Sequence, residues 1–129
     1  MNDAAPHPEA KQIFTVLSDM ITNSEGAILA TAAMTTDGLI ISSALGKGID
    51  SDIFAAMSAS LLVLAERASQ EVDIGELNQV MVMGSQGVML LTHIGLNAVL
   101  AVSTTPSANL GMVLQETSTA VNALHDLLG

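Results

Sequence analysis

The chain has 129 residues, half of them apolar but only 2% aromatic, and its 13 Asp and Glu against three Lys and Arg give a net charge of −10. A chain of this length buries roughly 65–70% of the surface its unfolded form exposes, which suits one cored domain and excludes both a disordered chain and two ordinary domains. With Lys11, Lys47 and Arg67 as the only strong cations and no Tyr or Trp, nothing neutralises a phosphate backbone or stacks on bases, so nucleic acid and anionic membrane surfaces are excluded as partners.

In chain order, residues 1–9 carry Pro6 and Pro8 and read as a flexible leader, leaving residues 10–129 as the single domain. The leader lacks the basic start and apolar run of a signal peptide and the chain has no cysteine, so a cytoplasmic location is expected. Ile13, Phe14, Leu17, Met20 and Ile21 recur at three- and four-residue spacing, which predicts an amphipathic helix over about 9–22. Strand-like runs at about 26–34 and 39–44 flank Thr35-Thr36-Asp37-Gly38, where Asp-Gly supplies the positive backbone angles of a tight hairpin turn. Gly46-Lys47-Gly48 then breaks the pattern before a second helix at about 51–71, capped by Asp50 or Ser51.

Around that middle helix Ile53, Phe54, Met57, Leu61, Leu64, Ala65 and Ala68 fall in one arc and read as its core-facing stripe. The other side carries Ala55, Ala59, Leu62 and Val63 beside Glu66 and Ser69. A solvent-facing side would hold more charge than that, so a second packing partner is expected there.

Three strands follow at about 78–83, 87–94 and 97–103, and the short breaks at Gly84-Ser85-Gln86-Gly87 and Gly95 dictate an antiparallel meander. Val80-Met81-Val82-Met83 and Val88-Met89-Leu90-Leu91 do not alternate polar with apolar, so both sheet faces need helical cover. From Leu77 to Gln115 there is no Asp, Glu, Lys or Arg. Polar and glycine interruptions nevertheless keep every apolar run short of the ~18 residues a spanning helix needs, and no membrane insertion is expected. Leu110, Val113, Leu114, Thr117, Val121, Leu124 and Leu128 line one face of a closing helix at about 108–127. The class is α+β, in the order α-β-β-α-β-β-β-α.

Few residues carry chemistry. His7, His93 and His125 share no ligand spacing, and the absence of cysteine removes thiolate nucleophiles and Cys-ligated zinc. Gly84-Ser85-Gln86-Gly87 lacks the spacing of a nucleophile elbow, and Gly46-Lys47-Gly48 that of a phosphate loop. Asp37 is accounted for by the hairpin turn. The pairs Asp50/Asp52 and Glu71/Asp73 bracket the middle helix as caps and solvated charge, and Arg67, the one arginine, reads as a packing or ion-pair residue. The eight Met residues read as core fillers. No catalytic residue, cofactor or metal is assigned, and the chain is read as a non-enzyme.

Four strings in matching order carry a resemblance: Glu25-Gly26-Ala27-Ile28-Leu29, Asp37-Gly38-Leu39-Ile40-Ile41, Ile53-Phe54-Ala55-Ala56-Met57 and Ala108-Asn109-Leu110-Gly111. Together they resemble the Roadblock family, which includes dynein light chains and prokaryotic regulators of small Ras-like GTPases such as the gliding-motility polarity regulators. The resemblance implies a five-stranded antiparallel sheet, profilin-like and longin-like, with helices on both faces. It also implies a homodimer joined through middle helices and third strands, with Ala55, Ala59, Leu62, Val63, Val80 and Val82 in the interface. The implied function is a regulator or scaffold, possible as a GTPase-activating co-regulator, that binds a small Ras-like GTPase through Ser58, Leu62, Glu66, Arg67 and Ser69. The alternative is a small sensory domain for an apolar metabolite, with Thr92, His93 and Asn97 as its polar contacts.

Overall fold

A computed structural model describes residues 8–128 of the chain. The expected leader lies, over residues 1–7, outside the described residues, as does His7. Eight elements follow in the expected order: α1 (Ala10–Asn23), β1 (Ile28–Thr35), β2 (Ile40–Ala44), α2 (Ser51–Glu71), β3 (Gln79–Gly84), β4 (Gly87–Ile94), β5 (Ala98–Thr104) and α3 (Leu110–Leu128). The five strands form one antiparallel sheet in the order β2-β1-β5-β4-β3. Two local units, the β1–β2 hairpin and the β3–β4–β5 meander, are thus joined by the pairing of β1 with β5.

Both faces of the sheet are apolar, as the non-alternating strands require, and each has its own core. On one face Ile13, Leu17 and Met20 of α1 and Val113, Ala120 and Leu124 of α3 pack on Ile28, Leu90 and Leu100. Thr31 fixes α1 to this face by donating from Oγ1 to the Leu17 carbonyl, 2.9 Å away. On the other face α2 lays Ala55 and Leu62 on Ala32, Met34, Leu91, Val99 and Ala101. Because α2 leaves one edge strand, β2, and enters the other, β3, it crosses the whole sheet.

The β1–β2 turn is what holds α2 in place. Gly38 has a φ of +95°, and a Cβ there would lie 3.3 Å from both the Ala56 Cα and the Ala59 Cβ. The turn is closed by Thr35, whose Oγ1 accepts from the Leu39 N–H and donates to Asp37, so Asp37 has the turn role expected of it. Asp50, rather than Ser51, caps α2, its Oδ1 accepting from the N–H groups of Asp52 and Ile53 at 3.0 and 3.1 Å.

The orientation of α2 corrects the sequence reading. Its buried residues are Ala55, Ser58, Leu62 and Ser69, so the helix is turned roughly a third of a revolution from the expected setting. Ala55 (0% exposed) and Leu62 (2%) belong to the core, while Ile53 (58%), Met57 (66%) and Leu64 (62%) face outward. The reason is close approach. Small side chains on α2 meet Gly38, Ala32 and Ala101, and a large side chain on that face would hold helix and sheet apart. Phe14 and Leu114, expected on core faces, are likewise exposed.

Candidate interaction surface

The outer face of α2 exposes large apolar side chains on consecutive turns. Ile53, Met57, Ser60, Leu64, Arg67 and Glu71 recur at alternating four- and three-residue steps and line the exposed side, with Ala56 and Val63 beside them. Over these positions the step averages 3.6 residues, so they follow one side of the helix along its length. Fully burying a Leu, Ile or Met of this kind is worth about 1.5–3 kcal/mol each, so leaving them in water is unfavourable unless something covers them.

Beyond its last turn α2 is tied to the loop that feeds β3. The Ile74 N–H donates to the Ser69 carbonyl, and Ser69 Oγ donates to the Gly75 carbonyl at 2.6 Å, with Asp73 at a φ of +59°. The loop leads to the outer edge of the sheet, where Met81, Val82 and Met83 are exposed. Gln79–Gly84 holds no charge and no proline, so the free edge has none of the usual guards against pairing with another strand.

Between these two surfaces lies a cavity of about 340 Å³, lined by Glu66, Gln70, Glu76, Asn78, His93 and Leu96 among others. His93 Nε2 stands 3.4 Å from Glu66 Oε2, which links β4 to α2 across the cavity wall. The walls mix charged and amide side chains with Leu77 and Leu96, and the cavity opens at the surface. Thr92, His93 and Asn97 do not converge. Thr92 accepts from Gln79 Nε2 at 3.0 Å, its neighbour His93 points to the opposite face of the strand, and Asn97 lies in the β4–β5 turn with its carbonyl bonded to the Thr36 N–H. His125 packs on Gly95 in that same turn. Among the described residues no three His, Cys, Asp or Glu side chains are grouped to hold a metal ion, and no helix is long and apolar enough to cross a membrane.

The expected site residues divide. Ala55, Ser58, Leu62 and Ser69 are buried against the chain's own sheet or loop and cannot line a surface. Ala59 is half-buried beneath Gly38, so its small size serves the hairpin turn. Val63 and Val82 are exposed, Val80 is half-buried, and Glu66 and Arg67 reach solvent on the flank and outer face of α2. Ile53, Met57 and Leu64 were missed as surface residues. The signal that finds them is the pair of serines, Ser58 and Ser69, that shares the opposite, close-packed side of the helix with Ala55.

Comparison with known proteins places this architecture. Residues 17–104 match the Roadblock/LC7 domain. An uncharacterized protein of Methanocaldococcus jannaschii, MJ0310, is 32% identical over 91 residues, which is 70% of this chain and 79% of that protein. Among solved structures, MglB of Myxococcus xanthus superposes with a TM-score of 0.87 at 19% identity, covering 97% of this chain and 93% of that one. A Roadblock/LC7 domain from Streptomyces avermitilis gives 0.82 at 21% identity, covering 89% and 96%.

Proposed function

The chain belongs to the Roadblock/LC7 domain family, and from that premise we propose that it is a non-enzymatic homodimeric regulator or scaffold that engages a small Ras-like GTPase. The observation that carries this reading is the outer face of α2, where Ile53, Met57, Val63 and Leu64 stand in solvent on a helix already anchored by its other side. A second copy covers part of this face, and the bare β3 edge beside it offers backbone groups for strand pairing between copies. The paired helices then form a platform that a folded partner can meet.

Hydrolysis by the GTPase would be altered by reshaping its switch segments rather than by a group inserted from this chain. Arg67, the one arginine, lies one turn before the end of α2, on a helix rather than on a loop that could carry it to a phosphate. The deciding experiment uses the purified chain with each small Ras-like GTPase of its own cell, loaded in turn with GDP and a non-hydrolysable GTP analogue. Expected is a complex that forms with one nucleotide state in preference and is lost in Leu64→Asp, a substitution on the exposed side. Equal, undetectable binding in both states overturns the reading.

A further inference from the structure

The cavity beside the C-terminal half of α2 has no part in the regulator reading, which draws on the outer face of that helix and on the β3 edge. None of its lining residues belongs to β3 or supplies the exposed apolar side chains of the outer face. Its polar groups come from three places: Glu66 and Gln70 on the flank of α2, Glu76 and Asn78 in the loop before β3, and His93 on β4. We propose that this cavity receives the guanidinium of an arginine side chain from a protein partner, with apolar neighbours of that arginine resting on Leu96 at the rim. The site holds whether or not two copies of the chain pair.

The walls present acceptors that the chain itself leaves unused. His93 Nε2 engages one Glu66 oxygen at 3.4 Å, and no Lys or Arg among the described residues stands within ion-pair distance of Glu66 or Glu76. The second Glu66 oxygen remains open to another donor. Among the described residues the side chains of Gln70, Glu76 and Asn78 hydrogen-bond to no protein group. Two carboxylates and two amide oxygens therefore surround about 340 Å³ of space. That is near the lower end of the roughly 300–1,000 Å³ typical of ligand sites, a size that suits a single side chain.

The donor set selects among ligands. An anion would meet two carboxylates, and an apolar group would strip water from them with nothing in return. A metal ion needs several ligating side chains drawn close together, and among the described residues no three are grouped in that way. A lysine ammonium is a compact point charge, whereas a guanidinium spreads five N–H donors over a plane and reaches acceptors set apart on different walls. Its methylene stem is matched by Leu77 and Leu96, which also line the cavity.

The walls are also fixed in advance. Ser69 Oγ holds the Gly75 carbonyl at 2.6 Å, and the turn that carries Leu96 is held by the Thr36 N–H on the Asn97 carbonyl at 3.1 Å, with His125 against Gly95. A site formed before binding loses little freedom when it is filled. The rim points to a protein rather than a free cation. Leu96 is 90% exposed and Ile74, next to Gly75, is 72% exposed, and a small guanidinium compound would leave both in water.

The test titrates the isotope-labelled full chain, followed through its amide resonances, with a blocked pentapeptide carrying arginine between two leucines. Saturable shifts are expected at Gly75, Asn78 and Gly95, with binding about tenfold weaker when the neutral isostere citrulline replaces the arginine. Glu66→Gln and Glu76→Gln are each expected to weaken the arginine peptide about fivefold. Asp19→Asn, an equal charge change on α1 across the sheet, should leave its affinity unchanged. Leu96→Ser should weaken the peptide about threefold and leave agmatine, a free guanidinium compound, as it was. Equal binding of the citrulline or lysine peptide, or shifts that spare the cavity, overturns the guanidinium site. Agmatine binding as tightly as the peptide overturns the protein partner and gives the cavity to a free cation. Each of these results leaves the regulator reading where it stands, since that reading is decided on Leu64 and the outer face.

Discussion

Single residues decide how α2 is seated. At Gly38 a side chain faces two penalties, a positive φ of 95° and a Cβ 3.3 Å from the backbone of Ala56 and the methyl of Ala59. Gly38→Ala is expected to destabilise the fold by about 1–3 kcal/mol, read as a lower urea midpoint at unchanged slope. Leu62, 2% exposed between helix and sheet, behaves differently from what its position on the expected partner-binding face would suggest. Leu62→Asp buries an unpaired carboxylate, so the expected result is loss of cooperative unfolding altogether. The Asp50 cap is a smaller contribution, and Asp50→Ala should cost about 1 kcal/mol in the same measurement.

At the scale of the element, the outer face of α2 separates assembly from stability. Met57→Lys replaces an exposed side chain that touches little in the single chain, so the melting point at high dilution should move by no more than about 0.5 kcal/mol equivalent. Light scattering at higher concentration is expected to show the mass falling toward that of one chain. Element order was legible in the sequence because punctuation was strong, with Asp37-Gly38, Gly46-Lys47-Gly48, Gly84 to Gly87 and Gly95 each ending a run where the structure ends one. The rotation of α2 was not. Hydrophobicity ranks Ile53, Met57 and Leu64 above Ala55, Ser58 and Ser69, yet the buried side of a helix on an alanine-rich sheet is chosen by size, and serine and alanine fit where leucine does not. For the same reason Ala59 resembled a helix-pairing residue while it was making room for Gly38. Of the expected contact residues, Glu66, Arg67, Val63 and Val82 were found at the surface because polar and edge positions follow pattern and topology.

Across the whole molecule, a net charge of −10 on 129 residues sets how partners arrive. Asp50, Asp52, Glu71 and Asp73 stand at the two ends of α2, so the proposed platform is flanked by negative charge. Association with a partner bearing a basic patch is expected to slow about tenfold between low salt and 0.3 M salt, roughly, in stopped-flow mixing, while the dissociation rate changes far less. The seam between β1 and β5 has a consequence for biosynthesis. Residue 28 pairs with residue 104 and residue 35 with residue 98, so a ribosome must release about three-quarters of the chain before β1 finds its second neighbour, β5. Until then the hairpin half waits with an open edge and an uncovered apolar face, and the meander half must arrive to close it. Nascent chains halted after His93 should therefore be cut rapidly by protease, whereas those that have also released α3 should resist it, making vulnerability during synthesis a property written into strand order.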